Sequence, residues 1–500
     1  MEYILSLDAG TSNCRALLIN KKGEIVAIEQ QEFTQHYPDH GWVEHDPIEI
    51  WQTQLKVIEL LLKKTMVHPS EIKAIGITNQ RETVVIWDKA TSEPIWNAIV
   101  WNDRRTKKNC DNLKSKYEKL IQEKTGLYIE PYFSASKINW ILDNVKGSRK
   151  RAEMGELCFG TINTWLLYKL TNGNTFKTDV SNAARTLLFN IHTLSWDEEL
   201  LKIFNIPKEL LPEVKSNSEV YGQTHLELFP TPIPIAAMIG DQQASLFGNA
   251  CFNNGDTKCT FGTGCFMMMN TGTKPIDSKH QLLTTIAWQI GDEQAEYALE
   301  GLVYAAGSVV QWLQDSMGII KSPNEIEGLA FSVPDSGGVY FVPTFNGLAS
   351  PYWNASAKGS ILGLTPSTNI GHLTRAALEG IAYQVTDVLE VMEKDANAKI
   401  KLIKCGGGMA EDVFLMQMQS DLLKIPIERV ANKEISALGA GYLAGLAVKF
   451  WKNKGEIASL WKCDREFLPQ MPEKDVALMR KNWSFAIKST QLWAENTKIK

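Results

Sequence analysis

One short pattern, written twice, constrains this chain more than any other feature. Tyr3–Leu7 is an apolar run, Asp8–Ser12 a polar bend, Ala16–Ile19 a second apolar run, and Asn20-Lys21-Lys22-Gly23 a second turn. Roughly 250 residues later, Gly255–Phe261 leads through Gly262-Thr263-Gly264 into the apolar run Cys265–Met269 and the turn Asn270-Thr271-Gly272. Short apolar runs bounded by Gly, Asn and Asp predict strands joined by tight turns. The repetition therefore predicts two antiparallel meanders of like design, each with polar residues gathered at its first bend.

Helical periodicity fills the space around them, at Ile48–Lys64, Asp103–Thr125, Ser136–Val145, Gln242–Asn249, Gly307–Met317, Asn369–Met392 and Val413–Lys424. Further strands are predicted at Ile72–Thr78, Ile233–Ile239 and Ile400–Ile403. Strands mixed with long helices indicate an α/β protein. Five hundred residues exceed one ordinary core. Pro, Gly and Asn gather at Asn205–Pro212 and at Phe252-Asn253-Asn254-Gly255, and the second cluster is taken as the boundary between domains 1–250 and 251–500.

Bulk properties exclude several classes. The net charge of −5 argues against a nucleic-acid binder with a broad basic surface, while leaving room for a small phosphate pocket. Eight scattered cysteines show no CxxC pair or Cys/His spacing, so neither a zinc site nor a disulfide framework is expected. Met1–Asp8 lacks the basic start of a secretion signal, and the cytoplasm is the expected compartment. The most membrane-like stretch, Ala437–Val448, falls short of the ~20 residues that span a bilayer. Its Gly439, Ala440, Gly441, Ala444 and Gly445 suit a closely packed helix.

Five short clusters carry the candidate chemistry. Asp8-Ala9-Gly10-Thr11-Ser12-Asn13, with Arg15 beyond it, places a carboxylate, a glycine and hydroxyls at a strand end. Such a bend exposes N–H groups to phosphate oxygens and a carboxylate to Mg²⁺, yet it reads equally as an Asx-type hairpin turn. Gly262-Thr263-Gly264 poses the same choice. Asp241, after Ile233–Ile239, is placed to take a proton from a hydroxyl and also to cap the helix that follows. Arg81-Glu82 pairs a donor with an acceptor, as a polyhydroxy ligand or a surface ion pair requires, and Trp101 suits a core or an apolar wall. Cys405-Gly406-Gly407-Gly408 precedes a helix and permits close backbone approach to a nucleotide, without the GK[ST] of a Walker motif.

Gly76–Thr83, Tyr37–Pro47, Ile239–Gln243, Phe261–Phe266, Tyr297–Gly301 and Leu348–Trp353 span most of the chain, and in them it resembles the glycerol kinases. These are carbohydrate kinases of the actin/Hsp70/sugar-kinase superfamily. The resemblance implies two ribonuclease-H-like domains flanking a catalytic cleft. It implies that Arg81, Glu82, Tyr132, Asp241 and Gln242 bind glycerol, with Trp101 and Phe266 against its carbons and Asp241 as catalytic base. Thr11, Ser12, Asn13, Arg15 and Thr263 would lie at the phosphates, Asp8 would help place Mg²⁺, and Gly307, Gln311, Gly408 and Asp412 would bind the nucleotide.

The implied reaction is in-line transfer of the ATP γ-phosphoryl group to glycerol. The expected partners are glycerol, ATP and further copies of the chain in a homodimer or larger homo-oligomer, with neither nucleic acid nor an integral membrane segment. A kinase for another small polyol or a ketose is the alternative. An ATPase that drives a partner or polymer is a more distant one, with no use for the polyol residues. The sequence departs from the family pattern at Ala9 (usually Gln), Gly406 (usually Asp) and Asp412 (commonly Asn). Glu227–Pro232 also lacks the arginine of the fructose-1,6-bisphosphate loop found in some bacterial members, so that effector site is expected to be absent.

Overall fold

A computed structural model describes residues 1–345, 347–354 and 356–497. Its first sheet is built from β1 (Tyr3–Ala9), β2 (Asn13–Asn20), β3 (Ile25–Glu32), β4 (Ile72–Asn79), β5 (Ser218–Gln223) and β6 (Pro234–Gly240), in the order β5-β6-β4-β1-β2-β3. The second holds β7 (Thr257–Phe261), β8 (Cys265–Gly272), β9 (Leu283–Trp288), β10 (Glu296–Val303), β11 (Ile403–Gly406), β12 (Ile427–Val430) and β13 (Cys463–Phe467), in the order β9-β10-β8-β7-β11-β12-β13. β1 pairs antiparallel with β2 and parallel with β4, as β7 pairs with β8 and β11. The doubled meander is thus a doubled sheet topology, with β9 as the extra strand.

Every residue of β1 is buried, as expected of a central strand with cover on both faces. Alternation sends Leu5 and Leu7 to one face, packed with Val57 and Leu61 of α1 (Pro47–Thr65). Asp46 caps that helix by accepting from the Ile48 N–H, with Pro47 at its first position and Lys63 and Lys64 in its last turn. Ile4 and Ser6 face the other way. They meet α6 (Ile435–Ala447), which reaches back from the second half of the chain. Ser6 Oγ donates to Ala437 O at 2.6 Å, and Ser218 Oγ on β5 donates to Leu443 O at 2.7 Å.

The small residues of α6 set how close it comes. A Cβ on Gly439 would lie 2.0 Å from Ala244 O, in the helix α2 (Asp241–Gly248) that follows β6. A Cβ on Gly76 of β4 would lie 2.3 Å from Ala440 O. The second sheet is covered by α3 (Gly307–Asp315), α4 (Ile370–Ala396) and α5 (Val413–Leu423), with α7 (Glu473–Asn496) outside them.

Of the expected boundaries that move, two have a plain physical cause. The helix expected from Asp103 starts at Lys107, because Asp103 is used in the preceding turn, accepting from Val43 N at 2.7 Å and Arg105 N at 2.9 Å. The strand expected at Ile400–Ile403 is Ile403–Gly406, where pairing with Thr257–Thr260 of β7 outweighs local apolarity.

Candidate active site

The first bend is held from beneath. Gly10 N donates to Asn13 O at 2.9 Å and closes the β1–β2 turn. Gln80 Nε2 donates to Gly10 O at 3.0 Å, and Gln35 Nε2 to Thr11 O at 3.1 Å. Both glutamines meet the buried His45, whose Nε2 lies 2.6 Å from Gln35 Oε1 and whose Nδ1 lies 3.4 Å from Gln80 Nε2. Only the neutral ring with hydrogen on Nε2 serves both, donating to one and accepting from the other. Burial, with His36 nearby, holds His45 at about 4 and keeps it in that form.

Above the bend, Trp101 Nε1 donates to Thr11 Oγ1 at 3.0 Å, and its ring meets Tyr132 edge-on with centroids 5.5 Å apart. Ser12 is exposed and Asn13 half-buried. Arg15 lies opposite Asp8 across β1–β2, but its Nη1 is closer to Glu434 (2.6 Å) than to Asp8 (3.6 Å). Burial pushes the Asp8 carboxyl up to about 7, with Arg15 opposing and Asp241 and Glu434 adding to it.

Arg81 and Glu82, at the end of β4, are buried rather than a surface pair. Arg81 meets Glu300 of β10 through two 2.8 Å bonds, and its Nε lies 3.3 Å from Asp241 Oδ1. Glu82 sits at φ 62°, a left-handed conformation that costs a non-glycine residue about 1 kcal/mol or more. That backbone presents its carboxylate to Arg185, whose Nε donates to Glu82 Oε1 at 2.6 Å. Burial opposes the charge on Glu300, but Arg185 and Arg81 outweigh it and hold that carboxyl at about 2. For Glu82 burial prevails over the same two cations and pushes the carboxyl up.

Asp241 differs from one expectation. Gly240 is the N-cap of α2, with extended backbone, and Asp241 is the first helical residue. Its Oδ1 accepts from Gln242 N at 2.7 Å rather than capping a later N–H, and the carboxylate stays partly exposed beside Arg81. Gln242 Oε1 accepts from Lys258 Nζ, which also donates to Phe266 O at 3.3 Å.

The second bend packs backbone on backbone. Gly307 N donates to Gly262 O, and Ala306 N to Thr263 O, each at 2.9 Å. Cβ atoms on Gly264 and Gly407 would each lie 2.4 Å from a carbonyl oxygen, that of Val303 and that of Phe261, and Gly407 has φ 92°. Only glycine fits there. A Cβ on Gly408 would meet nothing within 4 Å, so its backbone borders open space, near Gly307 through Met409. The glycines do not open directly onto a helix: a single turn, Gly408–Glu411, intervenes. Asp412 caps α5, accepting from Leu415 N at 2.8 Å, and burial pushes its carboxyl up to about 6. Gln311 is exposed on α3.

Ser12 and Asn13 lie on the first bend, and the other expected residues fall into two groups. Asp8, Thr11, Arg15, Arg81, Glu82, Trp101, Tyr132, Asp241, Gln242 and Phe266 form one connected neighbourhood. Thr263, Gly307 and Gly408 form another along the glycine contacts, with Gln311 and Asp412 at its edge. Sequence reasoning missed Arg185, the role of Glu300, Lys258 and the His45 pair of glutamines. Cavities of about 650 Å³ beside Leu389 and about 290 Å³ beside Tyr297 are lined by none of these residues.

Residues 3–248 match the N-terminal domain, and residues 257–448 the C-terminal domain, of the FGGY family of carbohydrate kinases. A glycerol kinase of Parabacteroides distasonis is 53% identical over 99% of both chains. One of Burkholderia multivorans is 52% identical over 99% of both. The crystal structure of Plasmodium falciparum glycerol kinase with ADP superposes with a TM-score of 0.94 at 38% identity, covering 100% of this chain and 99% of that one.

Proposed function

Because the chain belongs to the FGGY family of carbohydrate kinases, and within it to the glycerol kinases, we propose that it transfers the γ-phosphoryl group of ATP to a primary hydroxyl of glycerol, giving sn-glycerol 3-phosphate. The observation that carries the reading is the buried constellation around Asp241: Arg81 at 3.3 Å, Glu82 beside it, and the Trp101–Tyr132 wall. Buried, fixed donors and acceptors next to an aromatic face suit a small polyol with hydroxyls on one side and carbons on the other.

In this reading Asp241 takes the proton of the attacking hydroxyl as its oxygen bonds to the γ-phosphorus and the bond to the bridging oxygen of ADP breaks. Arg81 orients Asp241 and donates to a substrate oxygen, while Glu82 accepts from a hydroxyl. Thr11, Ser12, Asn13, Arg15 and Thr263 face the phosphates, and Gly307, Gln311, Gly408 and Asp412 the nucleoside. Residues 1–250 then supply the glycerol and phosphate site, with Thr263 and Phe266 reaching it from the other half, and 251–500 the nucleotide site.

Asp8 fits a role in holding Mg²⁺: it is a buried carboxylate pushed up to about 7, a state that a cation would reverse. Among the described residues no three His, Cys, Asp or Glu side chains form a metal cage. Mg²⁺ bound there would neutralise phosphate charge. No helix among the described residues is long and apolar enough to cross a membrane. A cytoplasmic location and a homo-oligomeric state belong to the same proposal.

A coupled assay of ADP release with and without glycerol tests the proposal, and turnover independent of glycerol would refute it. Asp241→Asn is expected to lower kcat by about 100-fold or more while leaving glycerol binding, measured by calorimetry, nearly unchanged.

A further inference from the structure

Lys258 is a fully buried cation to which the proposed reaction assigns no part. It stands on β7, just before the second bend, and its Nζ donates to three oxygens: Gln242 Oε1, Thr260 Oγ1 at 3.0 Å and Phe266 O at 3.3 Å. An ammonium has three N–H donors and accepts nothing, so these three fill it. None of the three is a carboxylate. A buried charge with only neutral partners is costly to maintain, and a methionine of similar volume would pack there without that cost. Burial also pulls the Lys258 amine down to about 8, which records the cost.

The direction of the hydrogen bonds shows what the lysine achieves. Because Lys258 only donates, Gln242 must turn Oε1 toward it and Nε2 away. Gln242 Nε2 also only donates, so a substrate hydroxyl meeting it must accept through its oxygen. The hydrogen of that hydroxyl is then left for a different acceptor, and Asp241 is the adjacent one, its Oδ1 bonded at 2.7 Å to Gln242 N. We infer that Lys258 is a positioning residue: by fixing the amide of Gln242 it sets the sense of a chain running from lysine to glutamine to substrate hydroxyl to Asp241. The same ammonium, through Phe266 O, ties the strand bearing that aromatic side chain to α2. Without the lysine the amide is free to flip and take the hydroxyl's hydrogen itself.

This inference rests on the proposed roles of Gln242 and Asp241, and its test is framed as ratios so that the two fail separately. Turnover of glycerol by the wild-type chain decides the reaction; if another polyol is the substrate, the ratios are measured with that polyol. Steady-state kinetics would compare wild type, Lys258→Met, Gln242→Ala, the double variant and Gln242→Glu. Lys258→Met is expected to lose about tenfold or more in kcat/KM for the polyol, with KM for ATP within about twofold. The double variant should lose no more than the larger single loss, because the lysine acts through the glutamine. Gln242→Glu keeps Lys258 paired but has no Nε2 donor, so it should lose about as much as Lys258→Met. Wild-type kcat/KM in Lys258→Met, additive losses in the double variant, or full activity in Gln242→Glu would each overturn the inference. If Lys258→Met does not fold, Lys258→Gln takes its place in the same cycle: its amide accepts as well as donates and no longer dictates the orientation of Gln242, so the same loss is expected and wild-type kcat/KM would overturn the inference.

Discussion

At the scale of single residues, His45 couples the first bend to pH. Its folded value of about 4 lies below the ordinary value of 6.5, so between them the unfolded chain binds a proton that the folded protein refuses. Stability therefore rises with pH through that interval, and on acidification it is lost from pH 6.5 downward, reaching about 3 kcal/mol below pH 4. Denaturant unfolding at pH 7.5 and 4.5 should show a drop smaller by about 2–3 kcal/mol in His45→Gln than in wild type; equal drops would refute the assignment. Residues such as Arg81, Glu82 and Asp241 could be picked out because they break an apolar run at its polar end. Arg185, Glu300 and Lys258 could not. Each sits in a stretch of ordinary composition, and Arg185 and Glu300 meet partners more than a hundred residues away. Charge balance in a buried site is a property of the folded arrangement.

At the scale of elements, α6 fixes where α2, and so Asp241, stands. A Cβ on Gly439 would lie 2.0 Å from Ala244 O, a backbone atom that no side-chain rotation can move aside. Gly439→Ala should therefore cost about 1–3 kcal/mol or shift α2, lowering kcat as well as Tm. Gly328→Ala is the control: it lies in the helix Glu325–Phe331, its Cβ would meet nothing within 4 Å, and it should be neutral or stabilising by up to about 1 kcal/mol. Differential scanning fluorimetry and turnover of both variants would check this, and equal behaviour would refute it. Helix cores such as Ile48–Lys64 were legible from periodicity, and so was the close packing of α6, from its glycines. What α6 packs against was not, because small residues report distance and not partner. The shift of one strand from Ile400–Ile403 to Ile403–Gly406 has a similar cause: register is set by a neighbour 146 residues earlier in the chain, as in the pairing of Ile403 with Thr257.

At the scale of the whole molecule, the two sheets repeat one topology but do not stand alone. The face of the first sheet bearing Ile4 and Ile19 is covered by Leu438, Ala440 and Leu443 of α6. A fragment of residues 1–250 would leave that face in water, at about 1.5–3 kcal/mol for each large apolar side chain uncovered. Expressed by itself it should bind a hydrophobic dye and lack a cooperative unfolding transition, and co-expression with 251–500 should restore both solubility and turnover. A fragment that unfolds cooperatively by itself would show that the cover is dispensable. The duplication was readable because each meander carries its own turns. The crossing of α6 from one half to the other was not, since no local signal marks it.

That crossing also sets a timetable during synthesis. The last strand of the first sheet ends at Gly240, and the helix that covers it ends at Ala447, about two hundred residues later. At roughly 5–20 residues per second, a ribosome takes about 10–40 s to make that stretch. Throughout this interval the emerging chain carries the strands of the first sheet without the helix that covers one of their apolar faces, so the yield of active protein depends on how well the cell shields a half-built molecule.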